Sequence, residues 1–580
     1  MATMSETTTV VELTPLPALN NPGSTPTATA TAAATTTTTA AGLLSSSDAR
    51  TTARLGSARR RIFDVAPANI LSKASRTLIT TLIICTNVVQ FISNFVTIAA
   101  GTTFTRDFGR KSGPGQANWM PASFRYFAFP KLLCIAVPLT QGAFVLISGR
   151  LGAVYGHQRI LLLGGAIIVV FSLANAFCGT YESFVTMRAL TGVGGGLVMP
   201  NAVAMITIML PPGRSRNITM GFFASAAPIG GWLGALFAGV FATAPGEWKW
   251  LFIFIAALGL LVFGGLAFLL PREEPIDKGG KIDYMGACLG LGSLLLFNFC
   301  WNQAPSAGWK TPYEIACLVT SLALFAAFLL WEKFVATEPV MPMDIFRTPT
   351  FTALVFVVLL SYMSFGISLW YMISWQQELR GWTVMQTALG WIPFVVGAIV
   401  AVGLAAWLIP RLAAQWIMAI GIGVMVVSNL LLATMPVQQT YWAQTFPAVL
   451  VGSICPDFVY VAAQIIASNS VSRKQQGVAG SLIGTLNLYG NSLGLGFAGT
   501  IETELTKGQV DPVKGYRAAL YFGVALAVVG LLIDFAFVRM PKDEREGWGT
   551  DTEGETYQDE PGVSGHATGV QREAPVGSLA

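Results

Sequence analysis

The stretch SGRLGAVYGHQRILLLG, Ser148 to Gly164, packs glycines, two arginines and a histidine between two apolar runs, Lys131–Gly149 and Arg159–Cys178. Each run is about as long as the roughly 20 residues a helix needs to cross a 30 Å hydrocarbon layer. The same pattern recurs along the whole chain. Of its 580 residues 53% are hydrophobic and only 11% charged, against about 25% charged in a soluble domain, which marks an integral membrane protein. Fourteen apolar runs can be counted. Besides those two they are Thr77–Thr102, Ser183–Leu210, Met220–Thr243, Trp250–Leu270, Tyr284–Trp301, Tyr313–Trp331, Thr352–Ser374, Ala388–Leu408, Ile417–Met435, Trp442–Ala467, Val478–Ile501 and Ala518–Val538. The expected fold class is therefore an all-α integral membrane protein with 14 transmembrane helices.

Basic residues orient these spans. Arg50, Arg54, Arg59, Arg60, Arg61, Lys73 and Arg76 precede the first run and place it with its start in the cytoplasm by the positive-inside rule. An even number of spans returns the C-terminus to that side. The gaps then assigned inward carry Arg150 and Arg159, Arg214 and Arg216, Arg272 with Lys278 and Lys281, Arg347, Arg411, and Arg473 with Lys474. The outward gap with Arg106, Arg110 and Lys111 is the main exception to the pattern. The net charge of +5 thus reflects anchoring at the membrane surface, and no nucleic-acid partner is expected. The seven cysteines show no paired spacing, so neither a disulfide framework nor a metal motif follows, and no cofactor is expected.

Residues 1–75 and 541–580 are polar and of low complexity and are expected to be disordered cytoplasmic tails. Between them six runs (76–271), a linker with two more (272–350) and a final six (351–540) form a 6 + 2 + 6 series. Paired bundles of this kind are the expected build of a secondary transporter, whose substrate site lies near mid-membrane where the halves meet. A non-transporting scaffold or sensor is the alternative. A membrane-embedded enzyme has no support, since no HExxH, acidic cluster or nucleophile elbow occurs.

Gly149, Arg150, Gly152, Gly156 and Arg159 fall in an inward gap too short for anything but a tight turn, with glycine supplying the backbone freedom and arginine the sidedness. Here the sequence resembles the major facilitator superfamily, whose loop between the second and third helices reads G-x-L-a-D-r-x-G-r-k. The acidic position is Ala153 in this chain. The fourth run, MRALTGVGGGLVMPNA, matches the family's R-x-x-q-G with Arg188 and Gly192. An arginine within a span is a functional candidate, and its alternative is an arginine reaching back to headgroups. The fifth run, GFFASAAPIGGWLGALFAG, resembles the antiporter motif G-x-x-x-G-P-x-x-G-G through Pro228, Gly230, Gly231 and Gly234. With EWKWLFIF, IDYMGACLG, QQELRGWT and QGVAGSLIGTLNLYGNSLGLGFAGTIE, the resemblance extends to the fourteen-span drug:H⁺ antiporter branch in its fungal form.

Proton coupling requires a group that changes charge inside the membrane, and carboxylates are the usual choice. Asp457, in GSICPDFVYVAAQ, is the candidate, with Pro456 beside it to loosen the helix. Arg188 is its proposed counterpart. Asn87, Gln90 and Asn94 in the first run and Asn487, Tyr489 and Asn491 in the thirteenth sit at helical spacings. With Tyr371, Trp375, Gln376 and Trp391 they would suit a cavity for an amphiphilic organic molecule, although each amide alone fits interhelical bonding as well.

The resemblance implies a monomeric, proton-driven exporter of drugs, toxins or secondary metabolites, including glycolipid-like products, at the plasma membrane. Export of a small anion contacted by Arg188 is the other transport reading. One departure stands out. FRYFAFPKLLCIAV, in which residues 125–137 are the apparent addition, separates WMPAS from PLTQGAFVLISGR, two pieces that usually join in the family. It is either a mis-predicted gene segment such as a retained intron or a true outer extension of the second helix.

Overall fold

In lipid a backbone finds hydrogen-bond partners only within itself, so an apolar run of this length becomes a helix. The computed structural model describes residues 72–107, 137–210, 214–241, 248–271, 273, 275, 277–471, 475–506 and 512–539, all within one compact unit, Asp64–Ala580. Residues 1–71, the expected C-terminal tail and the additional segment up to residue 136 lie outside the described residues, and Lys73–Ser75, expected as the end of the N-terminal tail, already belong to the first helix. Fourteen long helices follow: α1 (Lys73–Asp107), α2 (Val137–Tyr155), α3 (His157–Ala176), α4 (Tyr181–Met209), α5 (Arg214–Phe241), α6 (Trp248–Leu269), α7 (Tyr284–Ala307), α8 (Pro312–Phe334), α9 (Pro349–Leu379), α10 (Val384–Leu408), α11 (Ala414–Thr434), α12 (Thr445–Ser470), α13 (Gln476–Thr506) and α14 (Val513–Phe537). No strand occurs among the described residues.

Thirteen of these helices are long and apolar enough to cross a bilayer. The other, α13, is rich in glycine and amides, yet its 31 residues span about 46 Å at 1.5 Å per residue. Helix packing repeats between the halves. In the first, α1 packs on α4, α5 and α6, α2 on α4, and α3 on α4 and α6. In the second, α9 packs on α12, α13 and α14, α10 on α12, and α11 on α12 and α14. Adding eight to each helix number converts one set into the other. Two pairs make most of the contact between the halves, α2 with α13 and α5 with α10, and they exchange under the same rule. The inserted pair α7–α8 lies against α13 and α2 through α7, while α8 leaves Ile315, Val319, Leu322 and Leu330 exposed, an apolar face suited to lipid.

Apolar burial cannot hold these helices together, because lipid is as apolar as leucine; close backbone approach through small residues does. Gly230 and Gly234 of α5 face α1 so closely that an added Cβ would lie 2.7 Å from the Val88 carbonyl oxygen and 2.6 Å from that of Ile92. The equivalent helix α13 does the same to α9 with Gly490 and Gly494, and Gly366 of α9 returns the contact against the Asn491 backbone. Gly231 lies under the Phe95 ring, and Gly192 of α4 fits against Val137 and Thr140 of α2.

One local expectation is corrected. The segment read as a tight turn between the second and third spans is mostly helix: α2 continues through Arg150 and Gly152 to Tyr155, and α3 starts at His157. Only Gly156 breaks the helix, with φ of 99°, a conformation open to glycine at little cost. The other glycines serve packing, Gly149 against Ser481 and Gly152 against Asn201 and His157.

A Gly234→Ala variant should lower the thermal transition of the solubilised protein, since overpacking costs about 1–3 kcal/mol. Gly264→Ala, where nothing lies within 4 Å of the added Cβ, should leave it unchanged. Heating followed by fluorescence-detected gel filtration measures both.

Candidate substrate cavity

A cavity of about 960 Å³ lies between the halves, walled by α1, α2, α4 and α5 on one side and α9, α10, α12 and α13 on the other. Its lining is dominated by apolar and aromatic side chains, among them Phe91, Phe95, Phe223, Phe365, Trp370 and Phe394. Polar groups are few: Asn87 and Asn94 on α1, Asn487 and Asn491 on α13, and Asp457, Tyr460 and Gln464 on α12. Toward the α2–α3 junction the lining reaches Gly149, Arg150, Ala153 and His157, with Gln476, Gly477 and Gly480 from the start of α13. The cavity therefore extends to the Arg150 end of the bundle.

The amides are partly committed. Asn87 donates to the Phe223 carbonyl at 2.9 Å and Asn94 to Gln141 Oε1 at 2.8 Å, while the Oδ1 atoms of Asn87 and Asn491 have no partner. Asn491 turns its Nδ2 back to the Asn487 carbonyl at 2.8 Å. Asp457 opens the second segment of α12, which is broken at Ser453 into Thr445–Gly452 and Ile454–Ser470. Its Oδ2 is buried without a hydrogen-bond partner. It is the only carboxylate among the lining residues. Tyr460 and Gln464 follow it at spacings of three and seven on the same face; that periodicity was readable in the sequence, yet neither was singled out.

Gln90, Tyr371, Trp375, Gln376, Trp391, Tyr489 and Arg188, proposed from sequence for the cavity or for coupling, are not among the lining residues. Most of them build the opposite, sealed end. There Trp375, Tyr371 and Trp391 join Phe104, Phe184 and Trp248 from the first half in one buried cluster. Gln377 donates to the Ala99 carbonyl at 2.8 Å and Trp232 to the Ala388 carbonyl at 3.1 Å, both across the halves. Phe95 meets Trp391 edge-on at 5.6 Å, and Gln376 donates to Thr445. Tyr371 donates to the buried Glu502 at 2.6 Å. Arg188 is wholly buried near Phe252, bonded to the Ser93 hydroxyl at 2.9 Å and to the Ser93 carbonyl. No ion pair of Arg188 occurs among the described residues. Gln90 is buried with both amide atoms unpartnered, and Tyr489 points to α7, donating to the Leu294 carbonyl.

At the Arg150 end the absent loop carboxylate has a substitute. Arg150 pairs with Asp277 at 2.7 Å and also with Glu338, residues from the two connections that flank the inserted pair. The Asp277 amide donates to the carbonyl of Ala153 itself at 3.0 Å. Gln158 ties α3 to the same α6–α7 connection by donating to the Leu270 carbonyl and accepting from the Glu273 amide. Arg159 is exposed, and Pro228 lines the cavity.

Residues 82–495 match the Major Facilitator Superfamily. The chain belongs to this family. Over 430 residues it is 33% identical to the low affinity ammonium transporter of Saccharomyces cerevisiae, covering 72% of this chain and 80% of that one. Over 438 residues it is 31% identical to the efflux pump terJ of Aspergillus terreus, covering 74% and 82%. A bacterial homologue of the human lysosomal transporter Spinster, crystallised inward-facing and unoccupied, shares the fold with a TM-score of 0.54 at 16% identity, over 81% of this chain and 98% of that one. This major facilitator protein is thus a multi-pass membrane transporter, not an enzyme, and fungal efflux pumps are among its relatives.

Removing the two hydrogen bonds that join the halves at the sealed end, with Gln377→Ala and Trp232→Phe, should raise the population open at that end. A loss of about 2 kcal/mol for the pair corresponds to roughly 30-fold. The readout is labelling of an Asn491→Cys variant by an impermeant maleimide applied from the Trp375 side, and an unchanged rate would show that the seal does not depend on these bonds.

Proposed function

We propose that the protein exports small amphiphilic organic compounds across the plasma membrane in exchange for protons, by alternating access between its two six-helix bundles. The observation that carries this reading is Asp457, the one carboxylate among the described residues that line the cavity, with an oxygen that no described group satisfies. A carboxylate so placed meets each side of the membrane in turn as the bundles rock, taking a proton where the cavity faces acid and releasing it on the other side. One proton moving down 100 mV supplies about 2.3 kcal/mol, enough for a modest uphill export step. The aromatic walls and the scattered amides suit a ligand with a large apolar body and a few hydrogen-bonding groups.

With the basic connections on the cytoplasmic side, as the positive-inside rule has it, both tails are cytoplasmic and the cavity faces inward. Arg188 would then act on coupling through α1, since it holds Ser93 next to the cavity residue Asn94. Its burial away from the cavity lining favours the coupling role over the anion contact that the alternative export reading gives it. The sensor reading rested on Ala153 alone, and the Arg150–Asp277 pair restores the charge contact that position lacks. A second transport reading, movement of a small nitrogen cation, is favoured by the same Asp457 and by the relative named for ammonium.

In sealed vesicles, Asp457→Asn should reduce pH-gradient-driven movement of rhodamine 6G to background, a loss of at least about tenfold, while equilibrium binding of the dye persists. Normal gradient-driven flux in that variant would remove Asp457 as the proton carrier.

A further inference from the structure

The inserted helices α7 and α8 sit at the edge of the bundle, yet the connection that leaves them enters the cavity wall. Pro339 and Val340 line the cavity together with Leu146 and Arg150 of α2. They belong to neither six-helix half. The segment is held at both sides by charged groups. Ahead of it, Glu338 pairs with Arg150 and accepts from the Lys281 amide at 3.1 Å. Behind it, the buried carboxylate of Glu332, at the end of α8, accepts from the Val340 amide at 3.2 Å and the Met341 amide at 3.1 Å. Two carboxylates thus hold the segment at Glu338 and at Val340 and Met341, and the Val340 and Met341 side chains are packed into the apolar cluster of Leu146, Phe328 and Phe351.

The helix pair that carries the segment is itself fixed. Asn302 donates to the Ser492 carbonyl at 3.2 Å and the Ser492 hydroxyl donates to Asn298 at 3.0 Å. The Trp301 ring stacks on Phe497 with centroids 3.7 Å apart. These bonds join α7 to α13 within the membrane, where an unmatched amide is costly, and so give the strap a rigid support. A connection on a lipid-facing hairpin with no role at the cavity would need neither the carboxylate clamp nor the buried placement of Val340.

We infer that the Glu338–Met341 strap is a wall of the binding cavity and that Val340 is a specificity-determining residue, so the inserted pair takes part in choosing which compounds are carried. The inference rests on the transport reading above only for its functional consequence. At Val340 a larger side chain would narrow the Arg150 end of the cavity and exclude bulky ligands before small ones.

The test uses the full-length protein in sealed vesicles and two probes, rhodamine 6G and the smaller cation tetraethylammonium. Val340→Trp should lower the rhodamine-to-tetraethylammonium flux ratio at least about fivefold, and Val340→Ala should leave it equal or raise it. Val335→Trp, at an exposed position outside the cavity, should not alter it. An unchanged ratio in Val340→Trp, in a protein that reaches the membrane in normal amount, overturns the inference. If the wild type moves neither probe, the export reading for this class fails, and thiol labelling decides the strap. Val340→Cys should then react with a charged methanethiosulfonate from the Arg150 side above the native-thiol background, and no reaction would overturn it.

Discussion

Within a bilayer the hydrophobic effect gives helices no reason to prefer each other over lipid, and the rest of this structure depends on how that constraint is met. Close backbone contact is the answer. On α5, Gly230 and Gly234 bring α1 to within touching distance, and on the equivalent α13, Gly490 and Gly494 do so for α9. Each half gains a rigid central seam from two glycines four residues apart, which in a helix share one face. Because the seams lie within halves, the two bundles can move as bodies, and most of the contact between them is left to α2 with α13 and α5 with α10.

The distribution of polar groups follows from the same economy. A bundle sealed at one end and hollow at the other must bury polar atoms somewhere, and here they lie both at the seal and on the cavity wall. At the seal, Tyr371 bonds to Glu502, Gln377 to the Ala99 carbonyl and Arg188 to Ser93, while Trp375 Nε1, Trp391 Nε1, Arg188 Nε and Glu502 Oε1 find no partner among the described residues. On the cavity wall, oxygens of Asn87, Asn491 and Asp457 stay without protein partners. Buried polar groups are normally paired, and the three unpaired oxygens on the cavity wall, those of Asn87, Asn491 and Asp457, are placed where a ligand or a proton would complete them. The Arg150 end uses a third arrangement, with Arg150 reaching to Asp277 and Glu338 on segments far away in sequence.

Much of this was legible in the chain, and what was not has a physical reason. The helices were readable because lipid imposes length and apolarity on each span. The weakest span by apolarity, α13, was still readable because its glycines and amides repeat at helical intervals. In the Ser148–Gly164 stretch glycine and arginine carry the pattern of a loop, whereas Gly149 and Gly152 are packing residues on a continuing helix. Depth was the hidden coordinate for the cavity. Trp370 lines it, while its neighbour Tyr371, turned about 100° around the same helix, bonds to Glu502 at the seal. Nor did spacing reveal the carboxylates that serve Arg150, since Asp277 and Glu338 are brought to it only by the tertiary fold.

The central claim is that the two bundles rock so that the ends open in turn, and paired distances at both ends test it most directly. Spin labels at Ile218 of α5 and Trp416 of α11 report the Arg150 end, and labels at Trp250 of α6 and Trp442 before α12 report the sealed end; all four positions are exposed. Double electron–electron resonance across a pH and rhodamine 6G series should show the first distance shortening as the second lengthens, with the two populations changing in step. Distances that stay fixed, or that lengthen together, would contradict alternating access in this protein.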